Sequence, residues 1–215
     1  FKYNKPFELH YNGDLPARSG LGSSSAFTVG MCKILNFINK RKISNIELAK
    51  QAIYIEQKKI KEYVGSQDQL YAAFGGFNKF KFYKEKIIAT KLKINQKKKN
   101  IIEDSSFLIF TGFSRVAEKI EKKKFGNFNK SKISLLEELV SYSQNASLLI
   151  ESNNFKIKEL GKLLDDSWKL KKSMHKEVSN HQIDEIYDYV LKLGAYGGKL
   201  LGAGAGGFLY VVCPK

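Results

Sequence analysis

The run Gly20-Leu21-Gly22-Ser23-Ser24-Ser25 leads straight into an amphipathic segment. Glycines let a backbone come close to an anion. A helix N-terminus adds unpaired N–H groups and the positive end of a dipole. Three serine hydroxyls can bond phosphate oxygens or a metal. The pattern is not a Walker loop, because no Gly-Lys-Ser/Thr follows. Two uses fit these residues: a phosphate-binding loop, or a plain glycine turn with a serine N-cap.

Asp68 stands in Gly65-Ser66-Gln67-Asp68-Gln69, with Gly75-Gly76 close behind. An Asp at a helix start is either a cap or, if held beside the phosphate loop, an acceptor for a hydroxyl proton. Glu56 lies upstream near the end of a helix, where a solvated face or a surface ion pair is the ordinary use. A third run, Gly197-Gly198-Lys199-Leu200-Leu201-Gly202-Ala203-Gly204-Ala205-Gly206-Gly207, is dense in glycine and precedes a strand. Such density costs backbone entropy. Close approach to a ligand or a tight structural turn would justify it.

These residues need elements to hold them. Phe7, Leu9 and Tyr11 alternate with polar partners and predict a strand over residues 1–12. Ser23 to about Asn39 reads as a helix with Phe27, Met31, Leu35 and Ile38 on one face. Ser44 and Glu47 form a capping box for a second helix, running to about Tyr63. A short helix through Tyr71–Phe74 would end at Gly75-Gly76. Phe80, Phe82, Ile88, Leu92 and Ile94 predict two strands around residues 84–86. The polar stretch 96–100 marks the expected boundary between lobes 1–98 and 99–215. A strand over 107–110 follows, then helices near 114–124, 131–152, 156–174 and 181–193, and a closing strand over 208–213. The class is α+β.

The formal net charge is +16. Only Arg18, Arg41 and Arg115 are arginines; every other base is lysine, spread along the chain. Bidentate phosphate and guanine recognition favours Arg, so the charge reads as solvated surface and no nucleic-acid partner is expected. No apolar run reaches the roughly 20 residues of a membrane helix, and a cytoplasmic protein without membrane contact is expected. Cys32 and Cys213 make no disulfide framework and read as small core residues. His10, His175 and His181 lack zinc-ligand spacing. Phe1 stands where a starting Met would, so the chain is expected to be a fragment without its true N-terminus.

Asp14-Leu15-Pro16 followed by Gly20–Ser25 resembles the ATP-phosphate loop of the GHMP kinase superfamily. Asp68 with Gly75-Gly76 resembles that superfamily's catalytic-Asp segment, and Gly202–Gly207 its third motif. Within the superfamily the sequence is most similar to the D-glycero-D-manno-heptose 7-phosphate kinase group. Gln67-Asp68-Gln69, Thr111-Gly112-Phe113-Ser114-Arg115, Trp168–Ser173, Ser179-Asn180, Ile183-Asp184 and Gly197–Gly202 carry that likeness. Arg18 departs from the pattern, which has a small residue or proline there. The superfamily's first motif has no counterpart in this sequence.

The resemblance implies a GHMP kinase two-lobe fold. Its N-terminal lobe would be like ribosomal protein S5 domain 2 and here incomplete; its C-terminal lobe would be ferredoxin-like. It implies an enzyme that transfers the γ-phosphoryl group of ATP to the anomeric hydroxyl of a heptose 7-phosphate. Gly20, Leu21, Gly22, Ser23, Ser24 and Ser25 would hold ATP, Ser24 and Glu56 would hold Mg²⁺, and Asp68 would take the hydroxyl proton. Arg115, Gly204 and Gly206 would contact the sugar phosphate. Another acceptor such as fucose, or a non-catalytic nucleotide- or sugar-binding remnant, stands beside this reading.

Overall fold

The computed structural model describes residues 6–16, 19–84, 86–112 and 130–215. The N-terminal half is mainly helical: α1 (Ser23–Ile38), α2 (Asn45–Tyr54), a π-helical turn (Ile55–Ile60) and α3 (Gln67–Phe74). The hairpin β1 (Asn78–Phe82) and β2 (Ile87–Lys91) follows, then α4 (Gln96–Asp104). The C-terminal half contains β3 (Ser106–Phe110), α5 (Lys130–Glu151), α6 (Ile157–Met174), α7 (His181–Lys192), β4 (Gly197–Leu200) and β5 (Phe208–Val212). Its antiparallel sheet has the order β3-β5-β4. The α+β expectation is met.

Two cores hold these halves. Val29, Cys32, Leu48 and Ala52 knit α1 to α2, with Ala73 of α3 packed against them. The buried face of α1 is Ser25, Thr28, Val29, Cys32 and Asn36, not the expected Phe27–Ile38 face. Small side chains let the helices approach closely, and Asn36 is satisfied by the Cys32 carbonyl and Gln51 Oε1, each at 2.8 Å. Phe27 instead meets Tyr11 edge-on, with ring centroids 5.1 Å apart. In the second core Trp168, Ile183 and Tyr187 of α6 and α7 cover Leu200, Leu209 and Val211 of the sheet.

Several expectations are corrected. Residues 6–16 form no strand; the alternation has no partner strand among the described residues. The second helix turns π-helical at Ile55 and ends at Ile60. α3 starts at Gln67 rather than Tyr71. The polar stretch 96–100 is helical, the start of α4, capped by the Asn95 side chain through Lys98 N–H at 2.9 Å. Gly197–Leu200 is a strand inside what reads as a loop. The helix expected over 114–124 lies outside the described residues. Both cysteines are free, Cys32 buried and Cys213 half-buried. No helix among the described residues is long and apolar enough to cross a membrane.

Candidate active site

The N-cap of α1 is Gly22, in left-handed backbone (φ 72°, ψ 21°), and no side chain caps the helix. The serine-cap reading of the loop therefore does not hold. Ala26 N–H makes the first helical bond, to the Gly22 carbonyl at 2.9 Å. The N–H groups of the first turn thus lack intrahelical acceptors and sit at the positive end of the dipole. Starts α2, α4 and α7, by contrast, are closed by Ser44, Asn95 and Asn180 side chains.

Asp68 lies in the first turn of α3, whose N-cap is Ser66, so the cap reading of Asp68 fails as well. A Cβ added to Gly22 would stand 3.2 Å from Asp68 Cβ and 3.3 Å from Oδ2. The carboxylate therefore flanks the glycine-serine loop, as a proton acceptor at the phosphate must. Glycine is required here twice over: the backbone is left-handed, and a side chain would meet Asp68.

Glu56 is no solvated residue; it is 1% exposed, within the π-helical turn. Turns of this kind recur at functional sites. Its Oε2 accepts from Ser25 Oγ at 3.0 Å and from Gln69 Nε2. Its Oε1 is buried without a hydrogen-bond partner among the described residues. Burial and then the Glu56 carboxylate push the Cys32 thiol up. The sequence reading paired Glu56 with Ser24; the structure pairs it with Ser25. Ser24 is exposed, and its carbonyl accepts from Thr28 Oγ1 at 3.1 Å. The unclaimed Oε1 of a carboxylate is a hard oxygen donor of the kind a divalent cation takes.

The third motif meets this loop from the other half of the chain. Phe208 N–H donates to the carbonyl of buried Ser19 at 3.2 Å. A Cβ on Gly207 would overlap that same oxygen. Thr111 fastens Gly207 in turn: its N–H and Oγ1 each donate to the Gly207 carbonyl at 2.9 Å, and Oγ1 accepts from Gly207 N–H at 3.1 Å. Gly204 packs on Val178, and Ala205 N–H donates to the Val178 carbonyl at 2.7 Å. Tight packing thus accounts for Gly204 and Gly207; Gly206 is also buried.

Gly20, Leu21, Gly22, Ser23, Ser24, Ser25, Glu56 and Asp68 therefore come together, and Gly204 and Gly206 sit in the loop docked beside them. Arg115 and Arg18 lie outside the described residues. Sequence reasoning missed Ser19, which anchors the loop, and the part played by Gln69. Gln69 adjoins Asp68 on α3, and that adjacency was its one visible signal.

Residues 1–76 match the GHMP kinases N terminal domain, and residues 129–215 match the GHMP kinases C terminal domain. The chain is 36% identical over 206 residues to D-glycero-alpha-D-manno-heptose 7-phosphate kinase of Campylobacter jejuni, covering 95% of this chain and 60% of that protein. It is 26% identical over 208 residues to the bifunctional fucokinase/GDP-fucose pyrophosphorylase of Arabidopsis thaliana, covering 93% of this chain and 19% of that one. The crystal structure of a D-glycero-D-manno-heptose 1-phosphate kinase from Bacteroides thetaiotaomicron superposes with TM-score 0.71 at 26% identity, over 93% of this chain and 55% of that one. The chain thus spans 60% or less of the length of these relatives. With the loop, the flanking aspartate and the docked glycine motif all in place, this chain belongs to the GHMP kinases.

Proposed function

We propose that this chain carries the nucleotide and catalytic centre of a kinase that transfers the γ-phosphoryl group of ATP to the anomeric hydroxyl of D-glycero-D-manno-heptose 7-phosphate. The observation that carries the reading is the Asp68 carboxylate against Gly22. Phosphoryl transfer needs positioning and charge stabilisation more than covalent help from the protein. The first-turn N–H groups of Gly20–Ser25 and the Ser23 and Ser24 hydroxyls hold the phosphates. Asp68 accepts the proton of the attacking sugar hydroxyl. Glu56 and Ser24 would hold Mg²⁺, which when bound neutralises charge on the phosphates.

The heptose acceptor rests on the Campylobacter jejuni relative and on the Thr111–Arg115 segment. In this reading Arg115 grips the 7-phosphate, and Gly204 and Gly206 line the sugar. Residues 1–98 and 99–215 form the two lobes. A cytoplasmic location and the lack of a nucleic-acid partner go with this reading. The fucokinase relative supports one other acceptor, an unphosphorylated sugar such as fucose.

The test is ADP release with ATP, Mg²⁺ and a panel of sugars and sugar phosphates, with phosphorus NMR of the product. Heptose 7-phosphate is expected to gain a phosphate on its anomeric carbon. Turnover only with an unphosphorylated sugar would move the assignment to the fucose-type acceptor. Nucleotide binding without turnover on any sugar would make the chain a binding protein.

A further inference from the structure

Gln69 is fully buried, yet it is a primary amide with its Oε1 unpartnered among the described residues. Burying an empty acceptor costs stability, and an apolar side chain would fill the same space without that cost. The amide therefore needs a use, and its one contact shows it: Nε2 donates to Glu56 Oε2. The Ser25 hydroxyl donates to that same oxygen. Two donors on Oε2 pin the carboxylate by one atom and leave Oε1 as its only uncommitted oxygen. An amide in this position can only donate to the carboxylate, because its oxygen would repel it.

We propose that Gln69 is a positioning residue for the cation site: with Ser25 it clamps Glu56 through Oε2 and reserves Oε1 for a divalent cation. This rests on the kinase reading above. One turn of α3 then does two jobs. Asp68 stands against the phosphate loop while Gln69, next along the chain, holds the cation ligand. The proton acceptor and the cation are thereby fixed relative to each other through a single rigid turn.

The test is electron paramagnetic resonance titration of Mn²⁺ into the whole chain, with and without a non-hydrolysable ATP analogue. Gln69→Met keeps the length and removes both donors. Its Mn²⁺ affinity in the nucleotide complex should fall at least about 10-fold, the usual loss when a ligand's supporting partner goes. Affinity for metal-free nucleotide should be unchanged. Ser25→Ala, a smaller change, should weaken Mn²⁺ in the same direction. A merely structural role would lower the unfolding midpoint and leave Mn²⁺ affinity alone, and that result overturns the proposal. If Gln69→Met does not fold, Ser25→Ala decides by the same criterion. A wild-type chain that binds no Mn²⁺–nucleotide complex would overturn the kinase reading itself.

Discussion

Asp68 and Gly22 stand so close that a single added methyl group on the glycine would lie 3.3 Å from the carboxylate oxygen. The carboxylate and the glycine-serine loop thus share one boundary, formed where the N-terminal ends of α1 and α3 come together. Because α1 and α3 are packed through the same small-residue core, the distance is set by the fold rather than by a mobile side chain.

Asp68→Asn keeps the size of that side chain and removes its basicity. Turnover should fall by at least about 10²-fold, the usual contribution of a general base. Calorimetric affinity for ATP should change little. Near-normal turnover would remove Asp68 from the chemistry.

Gly22→Val puts a branched side chain into left-handed backbone and against Asp68. Nucleotide binding is expected to disappear while the far-ultraviolet circular dichroism retains its helical signal. Unchanged ATP binding by calorimetry would take the loop out of the site.

Arg115→Lys tests the acceptor. A planar guanidinium grips phosphate with two parallel bonds that an ammonium cannot reproduce. KM for heptose 7-phosphate should rise on the order of 10- to 100-fold, equivalent to about 1.5–3 kcal/mol for one charge-assisted contact. KM for ATP should stay put. If both rise together, Arg115 does not hold the 7-phosphate.

Tyr187 links the C-terminal helices to the glycine-rich strand. Its hydroxyl donates to Asp165 Oδ1 at 2.8 Å and accepts from Gly198 N–H at 3.0 Å. Burial first, then the Asp165 bond, raise this phenol well above its ordinary value. The neutral form is the one the fold favours, so its contribution is complete below about pH 10 and declines as pH rises past the unfolded phenol's pKa. Tyr187→Phe should lose about 1–3 kcal/mol at pH 7, the cost of unpairing buried partners. The difference from wild type should shrink in urea unfolding at pH 10–11. A constant difference would contradict the assignment.

The parts of the site that were legible in the sequence are those made by neighbours in the chain. Gly20–Ser25 and the segment around Asp68 declare themselves because backbone freedom and a helix start are local properties. The burial of Glu56 was not legible: a carboxylate near a helix end looks solvated unless the π-helical turn that swings it inward is known. Its partner Ser25 differs from Ser24 only by which side of α1 faces α2 and α3. The lysine-rich stretch 96–100 resembled a polar boundary because its three lysines and two amides precede the buried anchor of the helix, Ile102. Gly197–Leu200 resembled a loop because its strand character comes from pairing with β5 and from close packing under α6, not from its own side chains.

The bond from Phe208 to the Ser19 carbonyl has a consequence for the order of assembly. Chains begin to fold from the N-terminus as they leave the ribosome. α1, α2 and α3 can pack together before β3, β4 and β5 are made. The anchor of the glycine-serine loop must wait for β5, because the donor to the Ser19 carbonyl lies far downstream of α3 in the chain. A nascent chain therefore holds a helical core with an unanchored glycine-serine loop until β5 has been made. A stop codon or protease cut ahead of β5 would remove the donor to the Ser19 carbonyl and leave the loop without that anchor.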